Sequence, residues 1–405
     1  MKRNKGRWTT IAVAFTAIVA STISVGVLAA ESSGATAKAA KATWVIGNIG
    51  TYSGSNSSNF IGGNLSLLAW ADYTNAHGGI NGHKVKVIVK DDGGSPSTAL
   101  NDVKQLVNSD HVLAIVADNS AEDATFNTYL ESADIPVLGG STPLPSFFTE
   151  KNYFPIGATS NESVPDLLLY AKNVLHQTTG AYLYCVEAPV CSQLLPVYQG
   201  AYTAIGGTLA VSETTSVGDA NFDSQCLAAQ AAKAQDLEFV GPSFELPGIA
   251  SDCATLGYDP TLLNEDVVLT PALATQLGTA SAVFAADAFP FTATSAAAGI
   301  YHSALEKYEP SVLSSKTFTQ DDADSWASGE LFEAAAKAGD LGNKPTRAQL
   351  IAGLYKLKGA TLGGLTPPLT FTKNKPNSVS CIFILDVDNG NIELPQGLTP
   401  YCPAS

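Results

Sequence analysis

The stretch that decides the fold is Trp44-Val45-Ile46-Gly47-Asn48-Ile49-Gly50, a β-rich run closed by glycine. Apolar residues then recur at helical spacing over 61–75, which predicts a helix. The next stretch, 77–83, contains glycines and an asparagine, which are typical of a helix end followed by a turn. An alternating apolar run over 85–89 stops at Asp91-Asp92-Gly93-Gly94. This order of strand, helix and strand predicts a β-α-β unit.

The same unit recurs along the chain. Ser95-Pro96 has the composition of a helix start, a capping hydroxyl followed by proline at the first helical position. Further strands are predicted at 112–116, 135–138, 182–185, 237–240 and 267–270, and further helices at 122–133, 194–205 and 246–256. Alternating strands and helices of this length predict an α/β protein with parallel sheets in two similar halves.

Composition excludes several classes of protein. The chain has 405 residues, 45% of them hydrophobic and 15% charged, which is too apolar for a disordered polyelectrolyte. Its length predicts two domains. The formal net charge of -15 disfavours nucleic acid as a partner, since binding to phosphates requires a stripe of Lys and Arg.

The first thirty residues have the pattern of an export signal. Lys2, Arg3, Lys5 and Arg7 precede an uncharged run that ends in Val27-Leu28-Ala29-Ala30, a small-residue cleavage pattern. We therefore predict a signal peptide at 1–30 and a flexible tether at 31–42. The alternative is an uncleaved anchor, since 23 uncharged residues are enough to span a bilayer. An exported protein is expected at the periplasm, the cell surface or the exterior, and not as a lipoprotein, because the first cysteine is Cys185.

Six cysteines agree with export, because an even number in a secreted chain indicates disulfides. Fifteen pairings are possible, and closeness along the chain favours Cys185–Cys191, Cys226–Cys253 and Cys381–Cys402. A metal site is the alternative, but no C-x-x-C motif occurs and no histidine has ligand spacing. We expect neither a metal nor a cofactor.

Three motifs resemble those of type I periplasmic binding proteins. They are Gly50-Thr51-Tyr52-Ser53-Gly54, the turn Asn75-Ala76-His77-Gly78-Gly79-Ile80-Asn81-Gly82, and Asp91-Asp92 after the second strand. The chain is most similar to the branched-chain amino-acid binding component of ABC importers. The resemblance implies a clamshell of two Rossmann-like lobes joined by a three-strand hinge. It places the first lobe at 43–163 plus 291–369 and the second at 164–290 plus 370–405, with all six cysteines in the second.

The ligand site is expected beyond the carboxyl ends of the strands, as in other open α/β sheets. Asn119-Ser120 and Gly139-Gly140-Ser141-Thr142 follow two predicted strands of the first lobe. The resemblance places carboxylate-binding positions at Ser120 and at Ser141 or Thr142, and hydroxyls there can hold a carboxylate together with backbone N–H groups. Ordinary helix capping is the alternative role for these hydroxyls.

Aromatic and acidic positions complete the candidate site. Phe60, Tyr52 and Phe244 are candidates for rings over the ligand, with core packing as the alternative. The resemblance implies an acidic partner for a ligand ammonium at the position that Ala272 occupies, and Glu245 and Asp287 are the nearest substitutes in sequence. The expected ligand is therefore a small polar or carboxylate-bearing molecule, an amino acid or a related metabolite, and the missing acidic residue at Ala272 favours a carboxylate, an amide or another small polar metabolite over an amino acid.

An enzyme is the rival class, but the sequence contains no G-x-S-x-G, H-E-x-x-H, Walker or G-x-G-x-x-G motif. The sequence instead predicts a monomeric binding protein that delivers its small-molecule ligand to an ABC permease. A ligand-sensing receptor ectodomain of the same fold is the alternative function.

Overall fold

The computed structural model describes residues 41–54, 57–265, 269–314 and 316–403. The predicted signal peptide and nearly all of the predicted tether lie outside these residues. The strands are β1 (Trp44–Gly50), β2 (Val85–Asp91), β3 (Ile115–Asn119), β4 (Val137–Gly140), β5 (Tyr153–Phe154), β6 (Thr179–Cys185), β7 (Thr208–Thr215), β8 (Asp236–Val240), β9 (Thr261–Glu265), β10 (Ala282–Ala286), β11 (Lys358–Ala360), β12 (Leu369–Thr370), β13 (Phe383–Asp388) and β14 (Asn391–Glu393). The helices are α1 (Gly63–Ala76), α2 (Pro96–Asn108), α3 (Asn127–Ser132), α4 (Ser146–Thr149), α5 (Ser160–Tyr170), α6 (Pro189–Gln193), α7 (Leu195–Ala204), α8 (Asp223–Ala231), α9 (Leu246–Thr255), α10 (Pro271–Leu277), α11 (Ala296–Tyr308), α12 (Gln320–Ala338) and α13 (Arg347–Leu354).

The first sheet is parallel and has the strand order β2-β1-β3-β4-β5. Helix α12 packs on α1, β3 and β4, so a late segment of the chain completes this lobe. The predicted cap of α2 is present, because the Ser95 hydroxyl accepts a hydrogen bond from the Thr98 N–H and proline opens the helix. This sheet and the helices α1–α4 and α11–α13 form the first lobe.

The second sheet has seven strands in the order β14-β13-β10-β9-β8-β6-β7. Strands β6 to β10 run parallel, whereas β13 pairs antiparallel with β10 and with β14. This sheet and the helices α5–α10 form the second lobe. The structure is therefore an α/β protein with two parallel-rich sheets in a two-lobe fold, as predicted.

One predicted strand, at 267–270, lies partly outside the described residues. Residues 269 and 270 are described and belong to no strand, and the strand beside β10 is β9, at Thr261–Glu265. Thr270 is instead the N-cap of α10, and its hydroxyl accepts a hydrogen bond from the Leu273 N–H. Two short apolar runs follow each other here, and apolar character alone does not show which of them is the buried strand. The pair Thr270-Pro271 is itself the pattern of a helix start.

The three predicted disulfides are confirmed as Cys185–Cys191, Cys226–Cys253 and Cys381–Cys402. The first closes the loop between β6 and α6, the second joins α8 to α9, and the third fastens the end of the chain beside β13. All three lie within the second lobe, so none of them ties the two lobes together.

Three segments cross between the lobes, after β5, after β10 and after β12, and they lie against one another. A Cβ atom on Gly157 would lie only 1.9 Å from the carbonyl oxygen of Asp287, so the first two segments touch through backbone. The Asn377 side chain of the third donates to the Tyr153 carbonyl at 2.8 Å. The crossovers thus form a compact hinge, and the exact lobe boundaries stay a prediction. Within the described residues, no helix has the length and apolar character needed to cross a membrane.

Candidate functional site

A small cavity lies between the lobes at the carboxyl ends of both sheets. Its volume is about 80 Å³, and an adjoining pocket of about 50 Å³ shares part of its wall. The first lobe contributes Phe60, Ser141, Pro143 and Leu144; the second contributes Val190, Leu194, Tyr198, Phe239, Val240, Gly241 and Glu265. A larger groove of about 440 Å³ lies between α9 and α10, but it belongs to the second lobe alone.

Two of the predicted site residues lie in the wall of this cavity. Phe60 is 6% exposed and lines both the cavity and the adjoining pocket. Ser141 is buried directly after β4, and its hydroxyl makes no hydrogen bond with any described residue. That hydroxyl is therefore free to bind a ligand.

Ser120 and Thr142 are buried beside the cavity without lining it, and their hydroxyls already have partners. The Ser120 hydroxyl donates to Asp92 at 2.6 Å and accepts from the Glu122 N–H at 3.1 Å. The Thr142 hydroxyl lies 2.9 Å from the Ala158 carbonyl oxygen and also contacts the carboxyl of Asp287. Both residues thus fix the loops at the strand ends, and a role in ligand binding stays a prediction.

The Thr142 hydroxyl has one proton and two acceptors beside it, the Ala158 carbonyl oxygen and the carboxyl of Asp287. Burial and the nearby carboxyl of Asp324 raise the pKa of Asp287 well above its usual range, while the hydrogen bond from Thr142 opposes this rise.

The remaining aromatic candidates lie farther from the cavity. Tyr52 donates its hydroxyl proton to Asn48 at 2.8 Å, and burial raises its pKa. Phe244 is 55% exposed in the short turn Ser243–Glu245, which contacts the turn Ser57–Asn59 of the first lobe. Phe244 is therefore close to the point where the lobes meet at the mouth of the cleft.

Glu265 is the acidic residue of the cavity, and sequence analysis missed it. The Ser160 hydroxyl lies 2.9 Å and 3.0 Å from its two carboxylate oxygens, and the Ser163 hydroxyl bonds to Oε1. Burial raises the pKa of Glu265, while these two hydroxyls oppose the rise. The acidic residue in the cavity wall is therefore neither of the predicted substitutes, Glu245 and Asp287, and Ala272 lies on α10 outside that wall.

The misplaced strand explains why Glu265 was missed. A strand at 267–270 would put Glu265 ahead of the strand and away from the cleft, whereas β9 puts it at the carboxyl end. Register then aligns Glu265 with Ala285 of β10, beside the crossover that begins at Asp287. The signal available in the sequence was the polar pair Asn264-Glu265 closing the run Thr261-Leu262-Leu263.

Within the part of the chain that the structure describes, the cavity wall contains no cation and one carboxyl group, that of Glu265. Among the described residues, no three His, Cys, Asp or Glu side chains are grouped so as to hold a metal ion. The wall offers the Glu265 carboxyl as a hydrogen-bond acceptor, the Ser141 hydroxyl, and apolar side chains. It can bind a small molecule that carries an amino group and an apolar body.

Comparison with protein families matches residues 43–391 to the family described as periplasmic binding protein. No curated protein sequence matches the chain. A possible leucine/isoleucine/valine-binding protein from Rhodopirellula baltica SH 1 has 17% identity and a TM-score of 0.73, covering 89% of this chain and 98% of its own.

Two further solved structures share the fold. A fatty acid ABC transporter substrate-binding protein from Thermomonospora curvata has 18% identity and a TM-score of 0.73, covering 89% of this chain and 92% of its own. A branched-chain amino acid transporter substrate binding protein from Streptococcus pneumoniae, solved with isoleucine, has 18% identity and a TM-score of 0.69, covering 87% and 98%. At these identities the similarity shows the fold.

Proposed function

The chain belongs to the periplasmic binding protein family, and from this premise we infer that it is an extracytoplasmic solute-binding protein that closes its two lobes around one small molecule. The family consists of non-enzymatic binding proteins. We propose that the ligand is a small amino acid or a related amine with a compact apolar body, and that the protein delivers it as a monomer to an ABC permease.

Glu265 is the observation that carries this proposal. Its carboxylate lies in the wall of the cavity, is held by Ser160 and Ser163, and has no cation beside it among the described residues of that wall. A buried carboxylate without a positive charge beside it is costly, and a ligand ammonium compensates that cost when it enters. The same ammonium would be poorly accommodated in a cavity without an acidic residue.

The other walls support the rest of the ligand. The free hydroxyl of Ser141 suits a carboxylate or carbonyl oxygen, while Phe60, Leu144 and Val240 surround an apolar body. Solved relatives are named for isoleucine and for fatty acids, and both have apolar bodies. Between an amino acid and a fatty acid, the carboxylate of Glu265 favours the amino acid, because only that ligand carries an amino group.

The other predicted site residues have supporting roles in this proposal. Ser120 and Thr142 hold the two loops of the first lobe in place, and Tyr52 braces the end of β1 through Asn48. Phe244 acts at the rim, where it contributes to closure of the second lobe over the bound ligand.

A thermal-shift screen of the exported protein tests the proposal. The panel contains small apolar amino acids, the matching amines, the matching carboxylic acids without an amino group, and short fatty acids. We expect the amino acids to raise the Tm most, the amines less and the deaminated acids least. Calorimetry should then give one ligand per chain, recovered chemically unchanged. Stabilisation by the deaminated or fatty acids alone would contradict the assigned ligand class.

A further inference from the structure

Positive charge is concentrated in one late segment of this acidic chain. Between residues 337 and 375 there are seven cations and one acidic residue, Asp340, whereas the whole chain has a formal charge of -15. The seven, which we call the basic face, are Lys337, Lys344, Arg347, Lys356, Lys358, Lys373 and Lys375. Such an asymmetry gives the molecule a positive end.

Contacts among these segments hold the basic face together. The Arg347 guanidinium donates to the Val112 carbonyl at 3.1 Å, just before β3, and so ties α13 to the amino-terminal edge of the first sheet. The ammonium of Lys356 donates to the Ala338 carbonyl at 2.9 Å, at the end of α12. Lys373 lies 5.5 Å from the centre of the Tyr355 ring. Three separate stretches of chain therefore meet at one surface.

The basic face lies at the opposite end of the first lobe from the ligand cavity. Helix α12 begins at the cleft, where the carboxylate of Asp321 accepts a hydrogen bond from Asn119 at 3.1 Å. The helix has 19 residues, and its last turn contains Lys337. At 1.5 Å per residue the two ends are about 28 Å apart. A surface that binds the basic face therefore leaves the cleft open to solvent.

The charges of the basic face differ in how available they are to a partner, because Arg347 and Lys356 already donate to backbone carbonyl groups. Among the described residues, Lys337 alone of the seven forms an ion pair with a carboxylate, that of Glu333. Lys344, Lys358 and Lys375 are exposed. An open groove of about 460 Å³ runs through the face, lined by Arg347, Lys373 and Tyr355, with Asp134 at its edge.

We propose that the basic face binds a membrane surface of anionic phospholipid. Exposed cations on separate segments, Lys344, Lys358 and Lys375, match a plane of phosphates better than a single small anion, which needs converging donors. Each Lys or Arg near such a surface contributes roughly fivefold to partitioning. The acidic remainder of the chain is repelled by the same surface, so the protein docks with the basic face inward and the cleft outward.

Co-sedimentation with vesicles tests this proposal on the protein purified after export, without added ligand. Vesicles of phosphatidylglycerol and phosphatidylcholine in equal parts are compared with vesicles of phosphatidylcholine alone. We expect binding to the anionic vesicles only, decreasing as salt is raised because the charges are screened. Equal binding to both kinds of vesicle would overturn the proposal.

Charge reversal locates the binding surface. Lys358→Glu with Lys375→Glu changes two exposed side chains that form no hydrogen bond with a described residue, and should lower binding to the anionic vesicles at least tenfold. The matched control, Lys307→Glu with Lys316→Glu, makes the same change in net charge at exposed sites outside the basic face and should stay within about twofold of the unmodified protein. An equal loss in both variants would contradict the assignment of this face.

Two further measurements complete the test. Both variants should keep the unmodified Tm, and if the first does not, Lys358→Gln with Lys375→Gln replaces it with a smaller expected loss. Soluble polyphosphate at the same total phosphate concentration should compete weakly, because it does not present a plane. Complete competition would show that the partner is a free phosphate polymer and would overturn the membrane assignment. Ligand affinity is measured separately, so this test and that of the ligand site fail independently.

Discussion

Replacing Glu265 by glutamine tests the ligand site most sharply. The change keeps the shape of the side chain and removes its charge, while Ser160 and Ser163 remain within hydrogen-bonding distance. A hydrogen bond to a charged group in a buried site contributes about 1.5–3 kcal/mol, which corresponds to a roughly 10- to 150-fold loss of affinity. We expect Glu265→Gln to weaken binding of the best amino acid from the screen by that factor.

Calorimetry across a pH series separates this contact from an indirect effect. Burial raises the pKa of Glu265, and below that pKa its carboxyl group is neutral and cannot pair with an ammonium. Affinity of the unmodified protein should therefore rise as pH increases through that pKa and then level off. The glutamine variant should show no such rise, because its side chain does not titrate.

Glu245→Gln is the matched control. Glu245 is also buried in the second lobe with a raised pKa of about 7, but it does not line the cavity. Its replacement should leave affinity within about twofold and leave the pH profile unchanged. Equal affinity in Glu265→Gln and the unmodified protein, or an equal loss in both variants, would refute the assignment of Glu265 as the ammonium partner.

The other predictions concern the cavity wall, the hinge and the buried carboxyls. Phe60→Ala should weaken ligand binding about tenfold or more in calorimetry, whereas Phe244→Ala at the exposed rim should weaken it less. A larger loss of affinity in Phe244→Ala than in Phe60→Ala would contradict the position of Phe60 in the cavity wall. Gly157→Ala should lower the free energy of unfolding by about 1–3 kcal/mol in a denaturant titration, because the new Cβ atom meets the backbone of the neighbouring crossover. Gly299→Ala is the control: its Cβ atom enters open space, so this change should be neutral or stabilising in the same titration. Burial raises the pKa of Asp324 to about 8, so between about pH 4 and pH 8 the folded state holds more protons than the unfolded chain. Stability should fall as pH rises through that window, and a Tm that stays level or increases would contradict the buried-carboxyl account.

Much of the fold was predictable because it depends on local pattern. Three features lie where the sequence indicated. Strand β1 follows from its run of β-forming residues, the turn after α1 from its glycines, and the cap of α2 from the hydroxyl of Ser95. The disulfides were predictable because the paired cysteines are close along the chain. Strands β3 and β4 end two to three residues later than expected, since their last residues are polar or glycine at the cleft.

The site was less predictable because it is made by pairing between distant segments. Phe60 and Ser141 follow strand ends of the first lobe, where the pattern was clear. Glu265 depends on the position of β9, and the more apolar run after it pointed to the wrong strand. The partners of Ser120 and Thr142 are far away in sequence, and one of them, Asp287, lies in a crossover that only the assembled lobes bring near.

The central claim is that the ligand is held between the lobes, with its amino group on Glu265. A crystal structure of the complex with the best amino acid from the screen tests it most directly. The account predicts one ligand in the interlobe cavity, with its ammonium within hydrogen-bonding distance of the Glu265 carboxylate and its carboxylate near the Ser141 hydroxyl. Ligand density in the groove between α9 and α10, or in the cleft without contact to Glu265, would contradict it.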